Sequence, residues 1–253
     1  MCAIFGIVGD YDQKEAEKAF ASLRHRGMDG SASIVQPSLF LGSHRLAITS
    51  CGEPMLQPLE REGYMLLFNG EIYNYQELAE SLGVTGESEA EVLLASYRAW
   101  GDDFVKHLRG MYAIALYADG VLRLYRDPMG KKPLYYRKSQ SGFSFASESK
   151  ALQGQGGEPL DRAQIPAYLS YQSPISPHTF YRGIRQLGAG EKLIYAEGSY
   201  RIEPGSSPLA TSISIRKKAE ATERIEDSLR EAVSIRIPRK VPYAALLSGG
   251  LDS

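Results

Sequence analysis

Residues 3 to 8 (Ala-Ile-Phe-Gly-Ile-Val) form an unbroken apolar run that begins almost at the first residue and closes at Gly9-Asp10, a turn signal. The run predicts a buried strand anchored at the N-terminus. Solidly apolar or alternating patterns predict further strands over Ser38–Gly42, Tyr64–Phe68, Tyr112–Ala118, Val121–Arg126, Leu134–Arg137, Phe143–Ser147 and Glu191–Tyr195, each bounded by turn residues. Helical periodicity marks Gln13–Ser22, Asn74–Ser81 and Glu89–Trp100, where Val92, Leu93 and Tyr97 share one face. Many strands with few helices predict an α+β arrangement of sheets packed between helices.

The pattern changes near Glu203-Pro-Gly-Ser-Ser-Pro208, which reads as a linker. The expected division is a first domain over 2–205, a linker over 206–214 and a second segment over 215–253. In that segment Arg216–Ile235 is charged and helical, with Ile225, Leu229 and Val233 spaced by four, and Pro238 stops it. Val241–Leu247 reads as a buried strand running into the glycine-rich Ser248-Gly-Gly-Leu-Asp-Ser253, where the sequence stops. The following helix and the rest of such a sheet are missing, so a fragment of a longer protein is expected.

Composition narrows the function. Hydrophobic residues make up 43% and charged residues 23%, with a formal net charge of −1, which argues against a nucleic-acid or membrane surface. No apolar run approaches the roughly 20 residues that span a bilayer, and no secretory signal is visible, so a cytoplasmic location is expected. With only Cys2 and Cys51, a disulfide framework is not expected, and Cys51 reads as a packing or loop residue. The four histidines, His25, His44, His107 and His178, lack metal-ligand spacing, so no metal is expected in the first domain.

Cys2 is the chemically pointed residue. It is small enough for Met1 to be removed, which leaves a thiol and a free α-amino group on one residue. The amine, with a reference pKa of about 7.7–8.0, can take the thiol proton directly or through water, so no catalytic histidine is required. Position alone would make residue 2 a frayed terminus, but an apolar strand from residue 3 anchors it.

The segment Cys2-Ala-Ile-Phe-Gly6 resembles the start of the class II glutamine amidotransferases, which are N-terminal nucleophile hydrolases. The resemblance continues in order through Arg24-His-Arg-Gly-Met-Asp-Gly30, Ser43-His-Arg-Leu-Ala-Ile48, Asn69-Gly-Glu-Ile-Tyr-Asn74, Leu108-Arg-Gly-Met-Tyr-Ala113, Arg126-Asp-Pro-Met-Gly-Lys-Lys-Pro-Leu-Tyr135 and Phe145-Ala-Ser-Glu148. It implies a four-layer α/β/β/α sandwich of two stacked antiparallel sheets. It also implies that Cys2 attacks glutamine, with the Asn69 side chain and the Gly70 amide forming an oxyanion hole. Without those flanks, Asn69-Gly70 also fits a hairpin turn.

A free glutamine needs an opposite charge for each of its own charged groups. Arg45 suits its carboxylate, and by resemblance Arg45, Leu46, Ala47, Ile48 and Thr49, with Asn69, Gly70 and Glu71, line the pocket. For the ammonium the family usually has an Asp in a Ser-Asp-x-Glu-Val segment, where this chain has Ser88-Glu-Ala-Glu-Val92, so Glu89 keeps the charge with a longer reach. Glu91 reads as the first-turn acid of a helix. Ala3 replaces the usual Gly and would crowd the substrate if its methyl faces it; Met28 replaces the usual Pro.

Leu247-Ser-Gly-Gly-Leu-Asp-Ser253 resembles the pyrophosphate loop of ATP pyrophosphatases, found in the asparagine synthetase family. By that resemblance Leu247, Ser248, Gly249, Gly250, Asp252 and Ser253 would bind ATP, with Asp252 assisting Mg2+. The implied complete enzyme uses L-glutamine, aspartate, ATP and Mg2+, and this chain would carry only the glutaminase and the start of an α/β synthetase domain. The resemblance leaves a homodimer open. It also leaves two alternatives: a relative acting on another carboxylate, and a non-catalytic domain of the same fold.

Overall fold

The N-terminal apolar run becomes β1 (Ala3–Gly9), and its alternation feeds two separate cores. Ile4 and Val8 pack with Leu39, Leu41, Leu67 and Leu124, whereas Ala3 and Phe5 pack with Ala16, Phe20, Phe40 and Ala151. A computed structural model describes residues 2–47, 56–86, 88–154, 157–206, 215, 217–238 and 241–250.

In chain order the elements that follow are α1 (Gln13–Ala21), β2 (Gly30–Gln36), β3 (Leu39–Arg45), β4 (Leu59–Arg61), β5 (Tyr64–Ile72), α2 (Tyr75–Leu82), α3 (Glu89–Trp100), β6 (Gly110–Ala118), β7 (Val121–Arg126), β8 (Tyr135–Lys138), β9 (Gly142–Ala146), α4 (Ile165–Tyr171), β10 (Ile184–Gln186), β11 (Glu191–Ala196), β12 (Ser199–Pro204) and α5 (Lys218–Ser234). One six-stranded sheet runs β10-β8-β9-β1-β3-β2 and the other β12-β11-β7-β6-β5-β4. The pairings described in both are antiparallel.

The sheets face each other across the core that holds Ile4, Leu41, Leu67 and Leu124. Ala16 and Phe20 of α1 cover the outer face of the first sheet. Leu78 and Ala79 of α2, with Val92 and Leu93 of α3, cover Leu66, Phe68, Ile114 and Leu116 on the outer face of the second. This is the α/β/β/α sandwich. Asp12 and Ser88 cap α1 and α3, accepting from Glu15 N at 3.0 Å and Glu91 N at 3.2 Å, which satisfies donors that a helix start leaves open.

Several boundaries differ from the sequence reading. β2 escapes it because Gly30–Gln36 is half exposed and rich in small residues, so it shows no apolar run. The strand expected to stop at Phe68 continues to Ile72 through Asn69 and Gly70, which pair with Ala113 and Tyr112 and make no hairpin turn. The linker expected from Glu203 begins inside β12, an edge strand whose end tolerates Pro204; residues 207–214 lie outside the described residues.

The chain divides into one unit of residues 1–46 and 55–210 and a second of 47–54 and 211–253. In the second, α5 exposes Ile225, Leu229 and Val233 at 60–61%. The buried strand expected at Val241–Leu247 is not formed: residues 241–250 carry no strand, and Leu246 is fully exposed. A strand buried on both faces depends on flanking strands and covering helices, and no described strand pairs with these residues.

Gly6 shows how tightly the first sheet is filled. A Cβ there would enter the Phe145 ring and lie 2.9 Å from Leu41 Cδ2. Gly6→Ala is expected to destabilise the chain by about 1–3 kcal/mol, read as a lower urea midpoint at unchanged slope; an unchanged midpoint would mean that this layer repacks freely.

Candidate active site

Cys2 immediately precedes β1, an interior strand flanked by β9 and β3. It shares the parity of Ile4 and therefore faces the gap between the sheets. Leu46 N donates to Cys2 Sγ at 3.4 Å, and Sγ lies 3.6 Å from Leu46 O. The Cys2 carbonyl accepts from Arg26 Nε at 3.2 Å, and Arg26 Nη1 is 2.9 Å from Glu148 Oε1. Glu148 also pairs with His25 Nε2 at 2.9 Å and Lys150 Nζ at 3.0 Å. Partial burial raises its pKa, but the donors from Arg26, Lys150 and His25 outweigh that and hold it at about 2. The neighbouring Ser147 clamps β1 as well: Ile4 N donates to Ser147 Oγ and Ser147 N to Ile4 O, both at 3.0 Å.

Across the gap, Asn69 and Glu71 continue the inner-face alternation of Leu67 along β5, and Arg45 continues that of Leu39 and Leu41 along β3. Asn69 is 1% exposed. Its side-chain nitrogen is 3.5 Å from Ser147 Oγ, and its oxygen is buried with no hydrogen-bond partner among the described residues.

The outer edge of β5 is the second half of the arrangement. β4 covers that edge only as far as Leu66. Beyond it, Phe68 N donates to Gln57 Oε1 at 2.5 Å and Ile72 N to Glu89 Oε1 at 2.6 Å. N–H groups two residues apart in a strand point the same way, so the Gly70 N–H faces this edge between them. A Cβ on Gly70 would strike Phe68 Cε2 at 2.6 Å and the Met111 carbonyl, so close packing on β6 fixes this glycine. Glu89 opens α3. Burial raises its carboxyl pKa to about 7, with Glu71 pushing the same way and the Ile72 N–H and Lys132 opposing.

Several of these positions were assigned no role by the sequence. Lys132 is 5% exposed, burial lowers its pKa, and the charges of Cys2 and Glu71 act on it. It is held by a loop built on buried Asp127, which accepts from the backbone N–H groups of Tyr112, Met129, Lys131 and Lys132 at 2.9–3.3 Å. Arg126 braces the same loop by donating to the Lys132, Leu187 and Gly130 carbonyls. Rarity of buried lysine was the available signal, but exposure is not readable from Arg126–Tyr135 alone.

Ala3 packs its methyl into the α1-side core, opposite to the Cys2 face, so the crowding it threatened does not arise. Met28 is 76% exposed. Of the other expected glutamine contacts, Leu46 touches the thiol, Ala47 is exposed, and Ile48 and Thr49 lie outside the described residues. In the expected ATP loop Leu247, Ser248, Gly249 and Gly250 are exposed, Gly249 has φ +79°, and Gly250 N donates to Ser248 Oγ at 3.4 Å. Asp252 and Ser253 lie outside the described residues. Cys51 does too.

A family model described as Glutamine amidotransferase domain matches residues 1–204, and one described as Asparagine synthase matches 224–253. The chain is 32% identical to asparagine synthetase (glutamine-hydrolyzing) 1 of Bacillus subtilis (strain 168), over 100% of this chain and 43% of that protein. It is 31% identical to amidase chry2 of Gibberella zeae, over 97% of this chain and 39% of that protein. The chain thus spans less than half the length of these two relatives. Among solved structures, the glutamine phosphoribosylpyrophosphate amidotransferase of B. subtilis has a TM-score of 0.63 at 22% identity, covering 81% of this chain and 49% of that one. That likeness is one of fold.

The Glu148 cluster makes a testable link between pH and the anchoring of Cys2. A carboxylate whose pKa is depressed on folding stabilises the fold above its unfolded value, and that contribution is lost as pH falls through the folded one. Glu148→Gln is expected to cost about 1–3 kcal/mol at pH 7, with the gap to the unsubstituted chain closing between the ordinary 4.5 and about 2. Urea unfolding across that range checks it; a pH-independent gap would mean that the carboxylate charge is irrelevant.

Proposed function

We infer from the family to which this chain belongs, the glutamine amidotransferase domain family, that it hydrolyses L-glutamine at Cys2 to glutamate and ammonia. The observation that carries the reading is that Cys2, on the parity of Ile4, and Asn69, on the parity of Leu67, both face the gap between the sheets, with Gly70 next to Asn69 on β5.

Once Met1 is removed, the Cys2 amine takes the thiol proton and Sγ attacks the side-chain amide carbon of glutamine. The oxygen becomes an oxyanion facing the Asn69 side-chain NH2 and the Gly70 N–H, donors of a kind that contribute several kcal/mol. The amine returns the proton to the leaving nitrogen, ammonia departs, and water opens the thioester. Arg45 holds the substrate carboxylate and Glu89 its ammonium, with Leu46 and Glu71 beside them; the family resemblance assigns glutamine contacts to Ala47, Ile48 and Thr49 as well. Glu89 keeps its acidic function despite its extra methylene because the Ile72 N–H holds one carboxylate oxygen on the β5 edge.

The ammonia is destined for amide formation in a larger protein. The similarity of the chain's end to asparagine synthase supports a division into a glutaminase domain (2–205), a linker (206–214) and the start of an ATP-binding domain (215–253). In the complete enzyme ATP and Mg2+, met by Leu247–Ser253, would activate aspartate for attack by ammonia. Cytoplasmic location and a homodimer fit this reading; among the described residues no helix is long and apolar enough to cross a membrane.

Intact mass before and after a glutamine-analogue electrophile tests the nucleophile. Loss of Met1 and one adduct that disappears in Cys2→Ala are expected, whereas a processed chain that takes no adduct points to a catalytically silent domain. Glu89 supplies a second test. Its carboxyl must be ionised to hold an ammonium, and its pKa is about 7. Glutamine should therefore bind Cys2→Ala about 10-fold more tightly at pH 8 than at pH 6, and Glu89→Gln should bind weakly at both. Calorimetric affinities that ignore pH would place the ammonium elsewhere.

A further inference from the structure

We propose that Ser147 is a positioning residue that aims the Asn69 amide at the reacting oxygen, a role that rests on the glutaminase reading above. Ser147 is fully buried, and its Oγ already accepts the Ile4 N–H at 3.0 Å. The hydroxyl therefore has one proton to give. The Asn69 amide lies 3.5 Å away, and its two ends have the same shape, so the surrounding network decides which end faces Ser147.

With the nitrogen toward Ser147, the Oγ would receive two donors, its own proton would gain nothing from Asn69, and the amide oxygen would stay buried without a partner among the described residues. Reversing the amide gives the Ser147 proton an acceptor and leaves the NH2, instead of the oxygen, as the end that awaits a partner. Ser147 O–H then donates to Asn69 Oδ1, and the NH2 turns away from Ser147 toward the gap that Cys2 faces.

The result is a directed chain: Ile4 N–H to Ser147 Oγ, Ser147 O–H to Asn69 Oδ1, and Asn69 N–H to the oxyanion. Each member polarises the next. One hydroxyl thereby registers the strand that carries the nucleophile against the opposite sheet, which carries the donor. The 3.5 Å spacing is long, as catalytic hydrogen bonds often are before substrate arrives.

A double-mutant cycle on the full chain, with Met1 removal confirmed by mass, separates this role from simple anchoring of β1. Ser147→Ala is expected to lower kcat for ammonia release by about 10–100-fold while KM for glutamine stays within about 2-fold, the signature of a lost transition-state contact. In an Asn69→Ala background the same substitution should cost less than about 2-fold, since the donor it aims is gone. Equal losses in the two backgrounds, or no loss in either, would overturn the proposal and leave the glutaminase reading standing. Failure of the unsubstituted, processed chain to release ammonia would instead remove that reading and this role with it.

Discussion

A nucleophile at the second residue is useful only if the end of the chain is held still, and chain ends ordinarily fray within the first few residues. Here β1 is hydrogen-bonded on both sides, to β3 from Ala3 onward and to β9 from Phe5 onward. Before Phe5 the β9 side has no ladder partner; Ile4 is held there by the backbone N–H and the hydroxyl of Ser147, and the Cys2 carbonyl by Arg26. Register follows from the core. A slip of one residue would send Ile4 into the helix-side layer and Ala3 and Phe5 into the gap, and with them would turn Cys2 away from Asn69.

Burial likewise explains the charges. Glu71, Glu89 and Lys132 act on one another in a partly dehydrated space, where an isolated charge is costly and a paired one is not. Glu89 carries a pKa near 7 there, which leaves it divided between its neutral and ionised forms at neutral pH. Lys132 contributes a cation to the Cys2 side, and the Asp127 and Arg126 contacts spend their hydrogen bonds on keeping its backbone in one place.

The sequence displayed the strands whose burial is two-sided or strictly alternating, and with them the nucleophile, Asn69-Gly70 and Glu89. It hid β2, because small residues on an edge strand carry no apolar signature, and it hid Ser147, because a serine at a strand end looks like any turn residue until its neighbours are known. Lys132 and Asp127 were hidden for the same reason: their importance is burial, and burial belongs to the fold. Val241–Leu247 failed in the opposite sense. Its apolar pattern describes a residue set suited to a sheet interior, but a strand is a property of a pair, and no described strand pairs with it.

With Cys2 at the head of a strand in one sheet and Asn69 in the other, the inter-sheet core also sets the distance between them. Leu41, Leu67, Leu124 and Phe145 set the spacing between β1 and β5, and a displacement of about 1 Å at a reacting centre can cost about 100-fold in rate. Side chains that look purely structural therefore act on the chemistry through distance. Close-packed interiors transmit such displacements instead of absorbing them. Ser147 stands at this junction, its Oγ accepting from Ile4 N at 3.0 Å and lying 3.5 Å from the Asn69 side-chain nitrogen, so it touches both sheets where their spacing matters most.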